Sequence, residues 1–216
     1  MSYTAKRIAV AASAFLAPLS VYAVLASTHH LGLYVSFSLG YGLYWFGWCI
    51  IFPIWIVGVR RLREVLAPVR REAIQPVWLA ALLFIVPIML SFFLAGPFEA
   101  ERSRFPESAW LMMAVAIPMA IWNGLLEELL WRGTYLTLFR ENRSMGIVFP
   151  AVTFGAWHLG PFLAEQAWDP GVAAVLVGGG ALLGLCWNWL SYRSGSIRPA
   201  VLSHIAANVA MFLAIM

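Results

Sequence analysis

Charge is scarce in this sequence: Asp, Glu, Lys and Arg make up 11% of 216 residues, against about 25% in ordinary soluble domains. With 62% of the residues hydrophobic, too few polar side chains remain to coat a water-facing globule, and intrinsic disorder is excluded by the same shortage. Cysteine is nearly absent. Cys49 and Cys186 both lie in apolar runs without CxxC spacing, so neither a disulfide framework nor a thiolate metal cage is indicated. No internal repeat, low-complexity tract or long linker divides the chain, and a single domain is the simplest organisation. The net charge of +4 comes from arginines scattered in short loops, which disfavours a nucleic-acid partner.

What the sequence has in abundance is apolar length. Several runs reach about twenty residues, enough to cross a hydrocarbon core of roughly 30 Å. Reading them between charged and Pro/Gly-rich breaks gives seven candidate spans, at about 8–27, 33–59, 77–96, 109–135, 146–162, 171–191 and 199–216. The expectation is an all-α polytopic transmembrane bundle formed by one integral membrane domain, residues 1–216. Within it, 1–108 carries spans without motifs and 109–216 carries the candidate catalytic core. The polar stretch 60–75 reads as an interfacial helix. Residues 1–24 also admit a signal-peptide reading, with Lys6 and Arg7 ahead of an apolar run.

Charge asymmetry orients these spans. With the N-terminus cytoplasmic, Lys6, Arg7, Arg60, Arg61, Arg63, Arg70, Arg71, Arg140, Arg143, Arg193 and Arg198 fall inside against only Glu64, Glu72 and Glu141, whereas Glu99, Glu101, Glu107, Glu165 and Asp169 fall outside against Arg102 and Arg104. The positive-inside rule agrees at every loop and puts the C-terminus outside. Compact length and terse loops point to a prokaryotic inner membrane.

Three ionisable residues belong to no loop: Glu127, Glu128 and Arg132. Two of the four histidines, His158 and His204, also lie in apolar spans. Charges at membrane depth cost several kcal/mol and mark function or a paired bundle interior. Residues four apart share a helical face, so Glu128 can meet Arg132, while Glu127 points about 100° away with Asn123 above it and Trp131 below. His204 and Asn208 share a face by the same step. The bland alternatives are a structural ion cluster for the glutamates and a satisfied core imidazole for His158.

An acid, two imidazoles and an amide on three spans form a catalytic inventory. Desolvation makes a carboxylate a stronger base towards water, and an imidazole can orient that water or pass a proton to a leaving amine. An imidazole and an amide on one face can donate to an oxyanion, worth on the order of 3 kcal/mol per donor. Serine nucleophiles are disfavoured: there is no GxSxG elbow, and Ser203 projects away from His204. Glu127, His158 and His204 could instead ligate zinc around an open water position. There is no HExxH, and Asn208 is a poor zinc ligand but a good oxyanion donor, so metal-independent chemistry with no required cofactor is favoured and zinc stays the alternative.

These residues fall into three ordered motifs: EExxxR at 127–132, FxxxH at 154–158 and HxxxN at 204–208. In them the sequence resembles the CPBP family, the CAAX protease and bacteriocin-processing (Abi) intramembrane endopeptidases. The resemblance implies a helical core with an active-site cavity inside the bilayer. It also implies that Glu127 activates water with His158 assisting, that His204 and Asn208 form the oxyanion hole, and that the Glu128–Arg132 pair holds its helix in place. The implied partners are the lipid bilayer and a membrane-associated peptide or protein tail, which would be the substrate. Two other classes compete: a non-catalytic scaffold or bacteriocin self-immunity protein that retains the motifs, and a proton-coupled carrier, which the lack of repeats disfavours.

Lesser features have bland readings. Gly180 and Gly184 have small-xxx-small spacing for helix packing. Trp187, Trp189 and Tyr192 read as interfacial anchors, and Asn188 as a partner of backbone or headgroups. His29 and His30 read as a solvated pair in a short turn, and Pro118 as a kink site.

Overall fold

The computed structural model describes residues 1–69, 77–95, 109–164 and 170–215, and among them there is no strand. Helix α1 (Tyr3–Thr28) starts where the Ser2 hydroxyl accepts from the Ala5 N–H at 3.2 Å, which satisfies one of the four amides a helix start leaves free. Its inward stripe, Val10, Ala14, Ala17, Val21 and Leu25, repeats every three or four residues and forms one face. A turn through Gly32, at φ +93°, leads into α2 (Leu33–Gly42); only glycine takes that conformation without strain.

Helix α2 does not stop at Gly42. It widens into a π-helical stretch, Leu43–Ile51, and narrows again as α3 (Phe52–Val57). A short α4 (Val59–Val65) and the longer α5 (Val77–Ala95) follow. Helix α6 (Ala109–Glu128) continues through a second π stretch, Leu129–Thr134, into α7 (Tyr135–Leu138). A third, Ser144–Val148, opens α8 (Phe149–Trp157), and α9 (Leu159–Ala164) comes after it. The last two elements are α10 (Pro170–Ser194) and α11 (Arg198–Ile215). Pro53 and Pro150 stand just beyond two of the π stretches. A proline has no N–H for the carbonyl four residues earlier, and a wider turn passes over the missing donor.

Apart from the break at Gly58 and the turn at His158, the expected apolar stretches are helical where described. Three helical stretches, Tyr3–Leu31, Val35–Val57 and Ala173–Ser194, are long and apolar enough to cross a membrane, and Val77–Ser91 and Ser144–Trp157 are shorter apolar helices. The protein is an all-helical integral membrane protein. The outer-loop charges Glu99, Glu101, Arg102, Arg104, Glu107, Glu165 and Asp169, and the inner Arg70, Arg71 and Glu72, lie outside the described residues. Of the expected interfacial segment, only residues 60–69 are described, and α4 makes up most of that piece.

Helix α10 is the hub, packed on α8 and α5, and α11 packs on α5, α6 and α10. Glycines set the closest approaches. A Cβ on Gly155 would collide with the Val177 carbonyl and lie 2.8 Å from the Ala181 nitrogen, and one on Gly184 would lie 3.1 Å from the Ala151 Cα. The packing role expected for the glycines of α10 is therefore met against α8. Trp187 departs from expectation: it is 1% exposed in the interior and no interfacial anchor. Asn188 is also buried, and its amide donates to the Ile147 carbonyl at 2.7 Å.

Candidate active site

The site is built where α6 turns into its π stretch and meets α11. Gly124, one turn before the glutamates, permits this meeting: a Cβ there would lie 2.8 Å from Ile205 Cγ1 and 3.1 Å from the Ile205 backbone nitrogen. Ile205 adjoins His204, so close approach of the two backbones delivers that imidazole to the carboxylates.

Glu127 and Glu128 are 4% and 0% exposed. Glu128 Oε1 lies 2.9 Å from Arg132 Nη1 and 2.8 Å from His204 Nδ1. His204 Nε2 faces Glu127 Oε2 at 3.5 Å. The imidazole therefore stands between the two acids, an arrangement that face arithmetic on a single helix does not show. Glu128 meets Arg132 at the expected four-residue step, but the contact is ionic without good hydrogen-bond alignment. Arg132 Nε, Nη1 and Nη2 and Glu128 Oε2 have no hydrogen-bond partner among the described residues. The guanidinium lies instead over the rings of Phe154 and Trp187, at 4.5 and 5.2 Å from their centroids, where ring quadrupoles offset part of its desolvation.

Phe154 is the element shared by the motifs. Its ring is edge-on to His158 at 5.0 Å and to His204 at 6.0 Å. Trp187 stacks on His204 at 4.0 Å with an interplanar angle of 18°. Its indole N–H donates to Ser203 Oγ at 3.0 Å, and that hydroxyl donates to the Phe84 carbonyl at 2.8 Å. Ser203 is thus a structural link that fixes Trp187.

His158 ends α8, half-buried, with Nδ1 2.9 Å from the Phe154 carbonyl. A carbonyl only accepts, so the proton sits on Nδ1 and Nε2 keeps its lone pair. Room for this ring depends on Gly180, where a Cβ would lie 2.9 Å from Nδ1. Asn208 is half-buried one turn beyond His204. Among the described residues no three His, Cys, Asp or Glu side chains form a group that could hold a metal ion.

Over residues 108–210 the chain matches the family model described as type II CAAX prenyl endopeptidase Rce1-like. This region is Rce1-like. Over it the chain is similar to the CPBP family, and the match spans all three motifs. No curated protein and no solved structure matches the chain. The match supports a function of the CAAX-type intramembrane protease kind.

Residues outside the motifs also build the site. Trp187, which stacks on His204, is one of them. Tyr44, fully buried on the first π stretch, accepts from the Trp131 indole N–H at 2.8 Å and stacks on Trp157 at 3.9 Å. A tyrosine inside an apolar run carries only a faint sequence signal: its hydroxyl needs a partner once buried.

Proposed function

We propose that the protein is an intramembrane endopeptidase that hydrolyses a peptide bond in a membrane-associated peptide or protein tail by glutamate-activated water. The observation that carries this reading is the buried His204 imidazole between Glu127 and Glu128, with His158 on the same Phe154 ring.

In this mechanism Glu127 takes a proton from water as the water oxygen bonds to the scissile carbonyl carbon, and the carbonyl electron pair moves onto oxygen. Both ring nitrogens of His204 face a carboxylate oxygen, so each is placed as a donor. Glu128 holds that ring through Nδ1, so Nε2–H is available to the oxyanion together with the Asn208 amide. Collapse of the tetrahedral intermediate breaks the C–N bond, and the leaving amine receives its proton from Glu127 through Nε2 of His158. The products are a carboxylate and an amine, and no covalent enzyme intermediate forms. The Glu128–Arg132 pair holds the helix. The same reading puts the chain in a prokaryotic inner membrane with its N-terminus cytoplasmic and its C-terminus outside.

The test is cleavage of a membrane-tethered CAAX-type reporter in detergent by purified wild type, Glu127→Ala and His158→Ala. Cleavage by the wild type and its loss in both variants is the expected result; undiminished cleavage by both variants rejects the assignment. A wild type without product, whose variants lose thermal stability and partner binding together, fits the non-catalytic scaffold or self-immunity reading.

A further inference from the structure

The part of the chain outside the family match reaches the Glu127 face of the candidate active site through a pair of adjacent residues. Asn123, Glu127 and Trp131 recur every four residues and share a face of α6 and the turn after it. Trp45 Nε1 donates to Asn123 Oδ1 at 2.9 Å, and Trp131 Nε1 donates to the Tyr44 hydroxyl at 2.8 Å. Tyr44 and Trp45, neighbours on the Leu43–Ile51 π stretch, thus bracket Glu127 from above and below.

Tyr44 is poised for more than packing. Its ring is 0% exposed and lies nearly parallel to Trp157, 3.9 Å away at 17°, so the hydroxyl cannot swing out. Its oxygen accepts from Trp131, which leaves its own proton to donate in a site without bulk water. Glu127 and Cys49 are the groups that act on this hydroxyl, and of the two a carboxylate is the stronger acceptor. With the phenol as donor, the carboxylate would be held between Tyr44 and His204, whose Nε2 faces Glu127 Oε2 at 3.5 Å.

We propose that Tyr44 is a positioning residue for Glu127: its O–H fixes the rotation of the carboxylate so that one oxygen is directed at the attacking water. This inference rests on the reading that Glu127 activates that water. A misplacement of about 1 Å at a reacting group costs on the order of 100-fold in rate, which sets the expected size. Tyr44→Phe keeps the ring on Trp157 and removes only the hydroxyl.

The experiment compares wild type, Tyr44→Phe, Glu127→Gln and the double variant in detergent, with a fluorogenic farnesylated CAAX-type peptide as probe and thermal unfolding alongside. The expected outcome for Tyr44→Phe is a kcat roughly 10- to 100-fold lower with KM within about twofold. Adding it to Glu127→Gln changes residual cleavage by less than about twofold, because the group it positions is already gone. Independently of activity, the unfolding shifts of the two single variants are expected not to add. A wild type that cleaves beside a Tyr44→Phe of unchanged kcat overturns the inference and leaves the proposed function standing. Equal losses in kcat and melting temperature that add fully to Glu127→Gln overturn it as well, since that is the mark of general destabilisation. A wild type that does not cleave removes the proposed function, and this role with it; additive unfolding shifts would then deny the contact too.

Discussion

Replacing Gly124 by alanine tests how the site is assembled. The new methyl would lie 2.8 Å from Ile205 Cγ1, a contact that a side-chain rotation relieves, and 3.1 Å from the Ile205 nitrogen, which only a backbone movement relieves. Reaching ordinary contact requires α6 and α11 to part by about 0.3 Å or more at this level. The 2.8 Å bond between His204 Nδ1 and Glu128, one turn on, lengthens with it. Overpacking of this kind costs about 1–3 kcal/mol, or about 2–12 °C in melting temperature for a chain of this size. Cleavage should fall about tenfold or more because the reacting groups are displaced. Gly178→Ala on α10 is the matched control: nothing lies within 4 Å of its Cβ position, and helix propensity gains up to about 1 kcal/mol. Differential scanning fluorimetry and reporter cleavage on both purified variants decide the matter. Wild-type stability and activity in Gly124→Ala, or equal damage from both substitutions, would show that the close approach at Gly124 does not set the site.

Other substitutions separate holding from chemistry. Glu128→Gln leaves Arg132 without its counter-charge and is expected to cost about 3–5 kcal/mol, read as a large fall in melting temperature before activity is considered. Trp187→Leu removes the stack on His204 and the donor to Ser203 and should cost about 3 kcal/mol by chemical unfolding in detergent. Asn208→Ala is expected to change stability by less than about 0.5 kcal/mol yet lower kcat by about 100- to 1,000-fold, the loss typical of an oxyanion donor; unchanged turnover would remove Asn208 from the site.

The helical class and the seven apolar stretches were legible because hydrophobic length is a direct record of the solvent a helix meets. The Glu128–Arg132 contact was legible because both residues lie on one helix, where the four-residue step fixes their proximity. Contacts between helices were not. That His204 turns one nitrogen to each glutamate depends on Gly124 and on the crossing of α6 and α11, which no periodicity encodes. The three π stretches were missed because a single added residue per turn leaves an apolar run looking apolar. Trp187 was misassigned because a tryptophan near a span end has the same composition whether it faces headgroups or stacks on a buried histidine. Tyr44 and Trp45 were overlooked because nothing in their own span announces the α6 face they grip.

The claim that Glu127 acts on water is tested most directly by a single turnover in heavy-oxygen water with enzyme in excess, with mass spectrometry of both the product and the Glu127-containing peptide. Direct attack by the activated water predicts one heavy oxygen in the new C-terminal carboxylate and none in the enzyme. An unlabelled product with label in Glu127 would show that the glutamate had itself been acylated, and would contradict the account.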